Sequence, residues 1–139
     1  MVETALVECG IIRTRANYGL PARLQAIYEG VQELIERHQP VALAVEDLFY
    51  ARNVRTTAVL GHARGVVLLA GAQAGLPVHE YPPREIKKAV TGTGAATKEQ
   101  VQFMLTRLLR LKKPPEPDDA ADGIAAALTY CLAMRAPAL

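Results

Sequence analysis

Three carboxylates carry the chemistry that this sequence offers. Glu46 closes the apolar run Val41-Ala42-Leu43-Ala44-Val45, and Asp119 and Asp122 stand three apart toward the C-terminus. Hard divalent cations take oxygen ligands, so carboxylates brought from separate chain segments to one point suit Mg2+. A cation held there can activate a water and neutralise charge developing on a phosphate under in-line attack. Each acid also has a plain structural explanation. Asp118 or Asp119 can cap a helix, worth about 1 kcal/mol, and Asp122 can simply favour the positive end of that helix. Glu46 can be a solvated loop residue. Taken singly, each acid is better explained structurally; taken together, they suggest a cation site.

The surrounding charge has an order. Residues 82–113 carry Arg84, Lys87, Lys88, Lys98, Arg107, Arg110, Lys112 and Lys113 against Glu85 and Glu99. Residues 114–139 then carry Glu116, Asp118, Asp119 and Asp122 against Arg135. A basic segment leading into an acidic cluster suits a polyanion held beside a cation, although charge alone is explained as well by solvated helix faces.

To act together these residues need a scaffold, and 139 residues, 50% hydrophobic and 22% charged, suit one globular domain. Residues 4–14 (TALVECGIIRT) are rich in β-branched and apolar types and read as a strand. Leu20, Leu24, Ile27, Val31, Leu34 and Ile35 recur at helical spacing over 20–38, with Pro21 in the first turn. Pro40 stops that helix, and 41–45 reads as an interior strand ending at Glu46. The carboxyl ends of strands in open α/β sheets are where ligands bind. Phe49 to Arg55 forms a loop that mixes aromatics with cations. A helix over about 56–74 is crowded with small residues, which allow a close neighbour within the fold or across a dimer. A strand over 77–81, a helix over 83–90, a loop at Gly92-Thr93-Gly94, a helix over 98–111, a Pro-rich turn over 112–117 and a helix over 118–134 complete the chain. Strand–helix alternation of this kind predicts an α/β fold.

Cys9 and Cys131 lie far apart with no CxxC partner, so neither a zinc site nor a disulfide scaffold is expected, and a cytoplasmic location is. His38, His62 and His79 form no ligand spacing. No apolar run approaches the roughly 18 residues of a membrane span, and the start lacks the pattern of a signal peptide. Gly92-Thr93-Gly94 is neither a Walker motif nor a dinucleotide fingerprint.

Six segments, in order, resemble the RuvC family of Holliday-junction resolvases, the crossover junction endodeoxyribonucleases. These are Leu20-Pro21-Ala22-Arg23-Leu24 with Ile27-Tyr28-Glu29-Gly30, Val45-Glu46-Asp47-Leu48-Phe49, Leu60-Gly61-His62-Ala63-Arg64-Gly65-Val66, Glu80-Tyr81-Pro82-Pro83-Arg84-Glu85-Ile86-Lys87, Gly92-Thr93-Gly94-Ala95-Ala96-Thr97-Lys98 and Asp118-Asp119-Ala120-Ala121-Asp122-Gly123-Ile124-Ala125. The resemblance implies an RNase H-like mixed sheet flanked by helices, in one nuclease domain over 1–139. It makes Glu46, Asp119 and Asp122 catalytic, metal-binding carboxylates for Mg2+, with Mn2+ able to substitute. It makes Lys87 and Lys98 phosphate contacts and Phe49 an aromatic that stacks on an unpaired base. Arg52, Arg55 and Arg84 become DNA contacts, with plain solubility nearly as good an account of Arg52 and Arg55. It implies a homodimer acting on four-way junction DNA in recombination and repair, with a branch-migration helicase complex as partner.

One departure matters. Family chains open on a hydrophobic strand ending in a GIDPG-like motif, whose Asp is the first metal ligand. Here Leu6-Val7-Glu8-Cys9-Gly10-Ile11-Ile12-Arg13-Thr14 resembles the family's third strand, so the resemblance implies that the first two strands and that Asp are absent and the domain N-terminally incomplete. A coding start placed too far downstream and a shortened, inactive chain both account for this. The rivals to a resolvase are therefore a dimer that binds junctions without cutting them and an unrelated α/β domain with a nucleotide or protein partner.

Overall fold

The structure, a computed structural model, describes residues 4–47 and 53–135. Its elements run in the order α1 (Leu20–His38), β1 (Leu43–Glu46), α2 (Val54–Gln73), β2 (Val78–Tyr81), α3 (Pro83–Thr91), α4 (Lys98–Leu108) and α5 (Asp118–Arg135). All five expected helices form. Pro21 and Pro83 each occupy a first helical turn, where a missing N–H costs nothing. Left-handed residues stop two helices: Gln39 at φ 46° after α1, and Gly92 at φ 94° after α3.

β1 and β2 form a two-stranded sheet. Leu43 N–H donates to Pro77 O at 2.9 Å and Asp47 N–H to Tyr81 O at 2.8 Å, so the register advances in step along both strands and the pair is parallel.

Two sequence expectations change. Residues 4–14 are not a strand. They have β propensity but do not join the β1–β2 sheet, and propensity without a ladder does not make a strand. The run expected as an interior strand over 41–45 is half-buried from Leu43 to Glu46, while Val41 is 78% exposed. With a single neighbouring strand among the described residues, β1 is not enclosed as a central strand would be.

The chain divides into two compact units. One comprises 12–43 with 53–78 of the described residues. There α1 turns Leu24, Ile27, Val31 and Ile35 inward and packs on α2. Gly30 accepts Ile12, whose Cδ1 lies 2.9 Å from where a Cβ would stand. Gly71 does the same for Leu43 Cδ2 at 2.7 Å and Val78 Cγ2 at 3.2 Å. Gly61 and Gly65, also read as close-approach residues, face open space.

The other unit comprises 4–11, 44–47 and 79–135. Its core gathers Tyr81, Ile86, Val90, Leu105 and Leu109 around the buried face of α5, with Leu105 fully enclosed. Ala120, Ala121, Ala125 and Ala126 make that face narrow, which lets α3 and α4 come close to it. Leu6 packs against the same core.

Candidate active site

Glu46 is the last residue of β1, where pairing with β2 fixes its backbone. Lys87 lies on α3. Lys98 is the first residue of α4, whose start is fixed by a capping box: Thr97 Oγ1 accepts from Gln100 N–H at 3.1 Å, and Gln100 Oε1 accepts from Thr97 N–H at 2.8 Å. Asp122 stands on α5 between buried Ala121 and buried Ile124. These four side chains line one cavity of about 210 Å³, walled by Ile86, Val101, Ala121 and Ala125 and also bordered by Gln102.

The two acids feel each other there. Burial raises the pKa of Glu46 above the ordinary carboxylate value, the charge of Asp122 pushes it the same way, and Lys87 and Lys98 pull it back. Burial likewise raises Asp122; Lys98 opposes this, and Asp119 and Asp118 add to it.

The remaining expected residues are placed less centrally. Asp119 sits one turn before Asp122, exposed and outside the cavity lining, so it acts on Asp122 through charge. Arg84 is exposed on the first turn of α3, its stem lying across the gap where Gly94 lacks a Cβ. Arg55 is exposed in the first turn of α2, after Asn53, whose Oδ1 accepts from the N–H groups of Arg55 and Thr56. Phe49 and Arg52 lie outside the described residues.

Two functional neighbours escaped the sequence reading. Gln102 Nε2 donates to Asp118 Oδ1 at 3.1 Å, and Lys98 Nζ lies 3.6 Å from Asp118 Oδ2. The four-residue spacing of Lys98 and Gln102 on one helix face could have grouped them. Nothing local links either to Asp118, sixteen residues beyond Gln102.

Among the described residues no three Asp, Glu, His or Cys side chains form a ready cage for a metal ion. The donor set at the cavity still suits Mg2+, which keeps several waters and takes one or two carboxylates together with substrate phosphates. Two oxygen donors that both resist ionisation, first because of burial and in Glu46 also because of Asp122, are what a divalent cation would relieve. Among the described residues, no helix is long and apolar enough to cross a membrane.

Comparison with known proteins agrees with this geometry. A family model described as crossover junction endodeoxyribonuclease RuvC matches residues 2–130. The crossover junction endodeoxyribonuclease RuvC of Pelotomaculum thermopropionicum is 50% identical over 126 residues, covering 91% of this chain and 77% of that protein. That of Moorella thermoacetica is 53% identical over 126 residues, covering 91% and 74%. The solved Thermus thermophilus RuvC superposes with a TM-score of 0.88 at 35% identity, covering 96% of this chain and 80% of that one. T. thermophilus RuvC in complex with Holliday junction substrate gives 0.90 at 34%, covering 97% and 84%. The α/β, RNase H-like fold expected from the sequence is the fold found.

Proposed function

The chain belongs to the RuvC family of crossover junction endodeoxyribonucleases, which are metal-dependent nucleases, and from that premise we propose that it resolves four-way DNA junctions by paired nicking. The observation that carries the reading is the meeting of Glu46 and Asp122 with Lys87 and Lys98 at one cavity. The solved relative in complex with a Holliday junction supports the choice of substrate. An inactive junction-binding dimer finds no support among relatives that are named as endodeoxyribonucleases.

In this reading Glu46, Asp119 and Asp122 hold Mg2+, or Mn2+ in its place. When bound there, such a cation would supply the Lewis acidity that activates a water and offsets charge on the scissile phosphate. Lys98 Nζ and Lys87 Nζ donate to non-bridging phosphate oxygens, orienting the group and adding salt-dependent affinity. The apolar wall of Ile86, Val101 and Ala125 limits competing water around the carboxylates. Phe49 stacks on an unpaired base, an interaction worth about 1–3 kcal/mol, and Arg52, Arg55 and Arg84 hold the arms.

The 139 residues act as one nuclease domain, and two copies act as a homodimer. A two-fold assembly on a junction of approximate two-fold symmetry sets one site on each of two opposed strands. The exposed Leu69 of α2, with Gly61 and Gly65 open on the same side of the helix, supports that face as the dimer contact. The setting is cytoplasmic, beside a branch-migration helicase complex.

The test is cleavage of a synthetic four-way junction with Mg2+, beside linear duplex and a Glu46→Gln control. Symmetric nicks on the junction alone, absent in the control, are expected. Cutting of duplex and junction alike, or an active control, would overturn the proposal.

A further inference from the structure

Asp118 is a neighbour of the acidic constellation that does not line the cavity. Its two carboxylate oxygens are separately engaged by the first turns of α4: Oδ1 accepts from Gln102 Nε2 at 3.1 Å, and Oδ2 faces Lys98 Nζ at 3.6 Å. Both partners line the cavity that holds Glu46 and Asp122, and Asp118 itself opens α5, the helix that carries Asp122. The side chains of Lys98 and Asp118 are 52% and 67% exposed, so the ion pair adds little to stability. Its geometry has more to offer than its energy. A lysine has four rotatable bonds and three donors, and a carboxylate on one of them limits where the ammonium can be and leaves the others for a phosphate.

We propose that Asp118 is a positioning residue for the nuclease: held in place by Gln102, it anchors the Lys98 ammonium at the cavity mouth and so sets where the scissile phosphate is received. This deepens the nuclease reading above and rests on it. It also separates Asp118 from the adjacent Asp119. Asp119 acts on the cation side with Asp122, and Asp118 acts on the phosphate side through Lys98.

The test is single-turnover cleavage of a four-way junction at saturating protein, where differences in binding drop out, for the parent chain and for Asp118→Ala, Asp118→Asn, Lys98→Met and Lys98→Met/Asp118→Ala. Asp118→Asn keeps an acceptor for Gln102 but loses the charge that holds Lys98. Both single Asp118 variants are expected to cut roughly tenfold slower, the scale of losing a partner that orients a working side chain. Their thermal midpoints and junction affinities should change little. In the Lys98→Met background, Asp118→Ala should add nothing. Parent-like rates in Asp118→Asn alone would assign the residue to helix packing through Gln102 and overturn the proposal. Parent-like rates in both Asp118 variants, or losses that simply multiply in the double variant, would overturn it equally. A parent chain that does not cut, or a Lys98→Met variant that cuts normally, would remove the nuclease reading or the role of Lys98, and this inference with it.

Discussion

Ionising Glu46 serves the chemistry and strains the fold. Its pKa is raised first by burial and then by Asp122, against Lys87 and Lys98. A carboxyl whose folded pKa exceeds its unfolded value contributes stability at acidic pH that is lost as pH rises through the folded pKa. Glu46→Gln mimics the protonated form. In metal-free buffer it should therefore melt higher than the parent above the raised pKa, and alongside it below the ordinary carboxylate range. Thermal melts across pH check this, and a gap that ignores pH would refute it. In cleavage the same change is expected to cost about 10²–10³-fold, as for other lost electrostatic contacts to a developing charge. Gly94 makes a second point at this scale. A Cβ there would stand 2.6 Å from Arg84 Cγ, near the base of that side chain and hard to move aside. Gly94→Ala should displace Arg84, weaken junction binding a few-fold and flatten its log–log salt dependence by about one unit. Unchanged binding at every salt concentration would remove Arg84 from the interface.

Elements were legible where the signal was local. The periodicity of Leu20, Leu24, Ile27, Val31 and Ile35 with Pro21 yields α1 with the expected ends. Thr97 with Gln100 marks the start of α4 through a mutual cap. Residues 4–14 misled because strand formation depends on a partner, which their composition cannot reveal. The same limit governed the site. The end of an apolar run pointed to Glu46, helical spacing to Asp122 and the family resemblance to Lys87 and Lys98, and these four line one cavity. Asp119 and Asp122 were paired by spacing, yet helix rotation leaves only Asp122 at the lining. Gln102 and Asp118 meet only through the packing of α4 and α5. Two element-scale predictions follow from the caps and close contacts. Thr97→Ala should cost about 1 kcal/mol of stability and, because Lys98 is the next residue, slow cleavage too. Gly71→Ala must move Leu43 and Val78, at about 1–3 kcal/mol as overpacking. Denaturant titration checks both, and a neutral Gly71→Ala would show that the contact yields freely.

At the scale of the molecule, the proposed single nuclease domain has a direct consequence despite the division into two compact units. A domain of this length should unfold in one cooperative transition, with calorimetric and van't Hoff enthalpies in agreement. Two separated transitions would mean that the units are thermodynamically independent and that the domain reading is wrong. A further consequence lies in α5, whose residues Ala120, Ala121, Ile124, Ala125, Ala126, Leu128 and Thr129 are all buried, with Thr129 Oγ1 bound to Ala125 O at 2.7 Å. Amides in such a segment open only with the global transition, so they should be the slowest in the chain to exchange with deuterium. Asp122 sits within that stretch. The acidic edge of the site is thus built into the part of the molecule that loosens last, and local fraying at loops and termini can come and go without disturbing it.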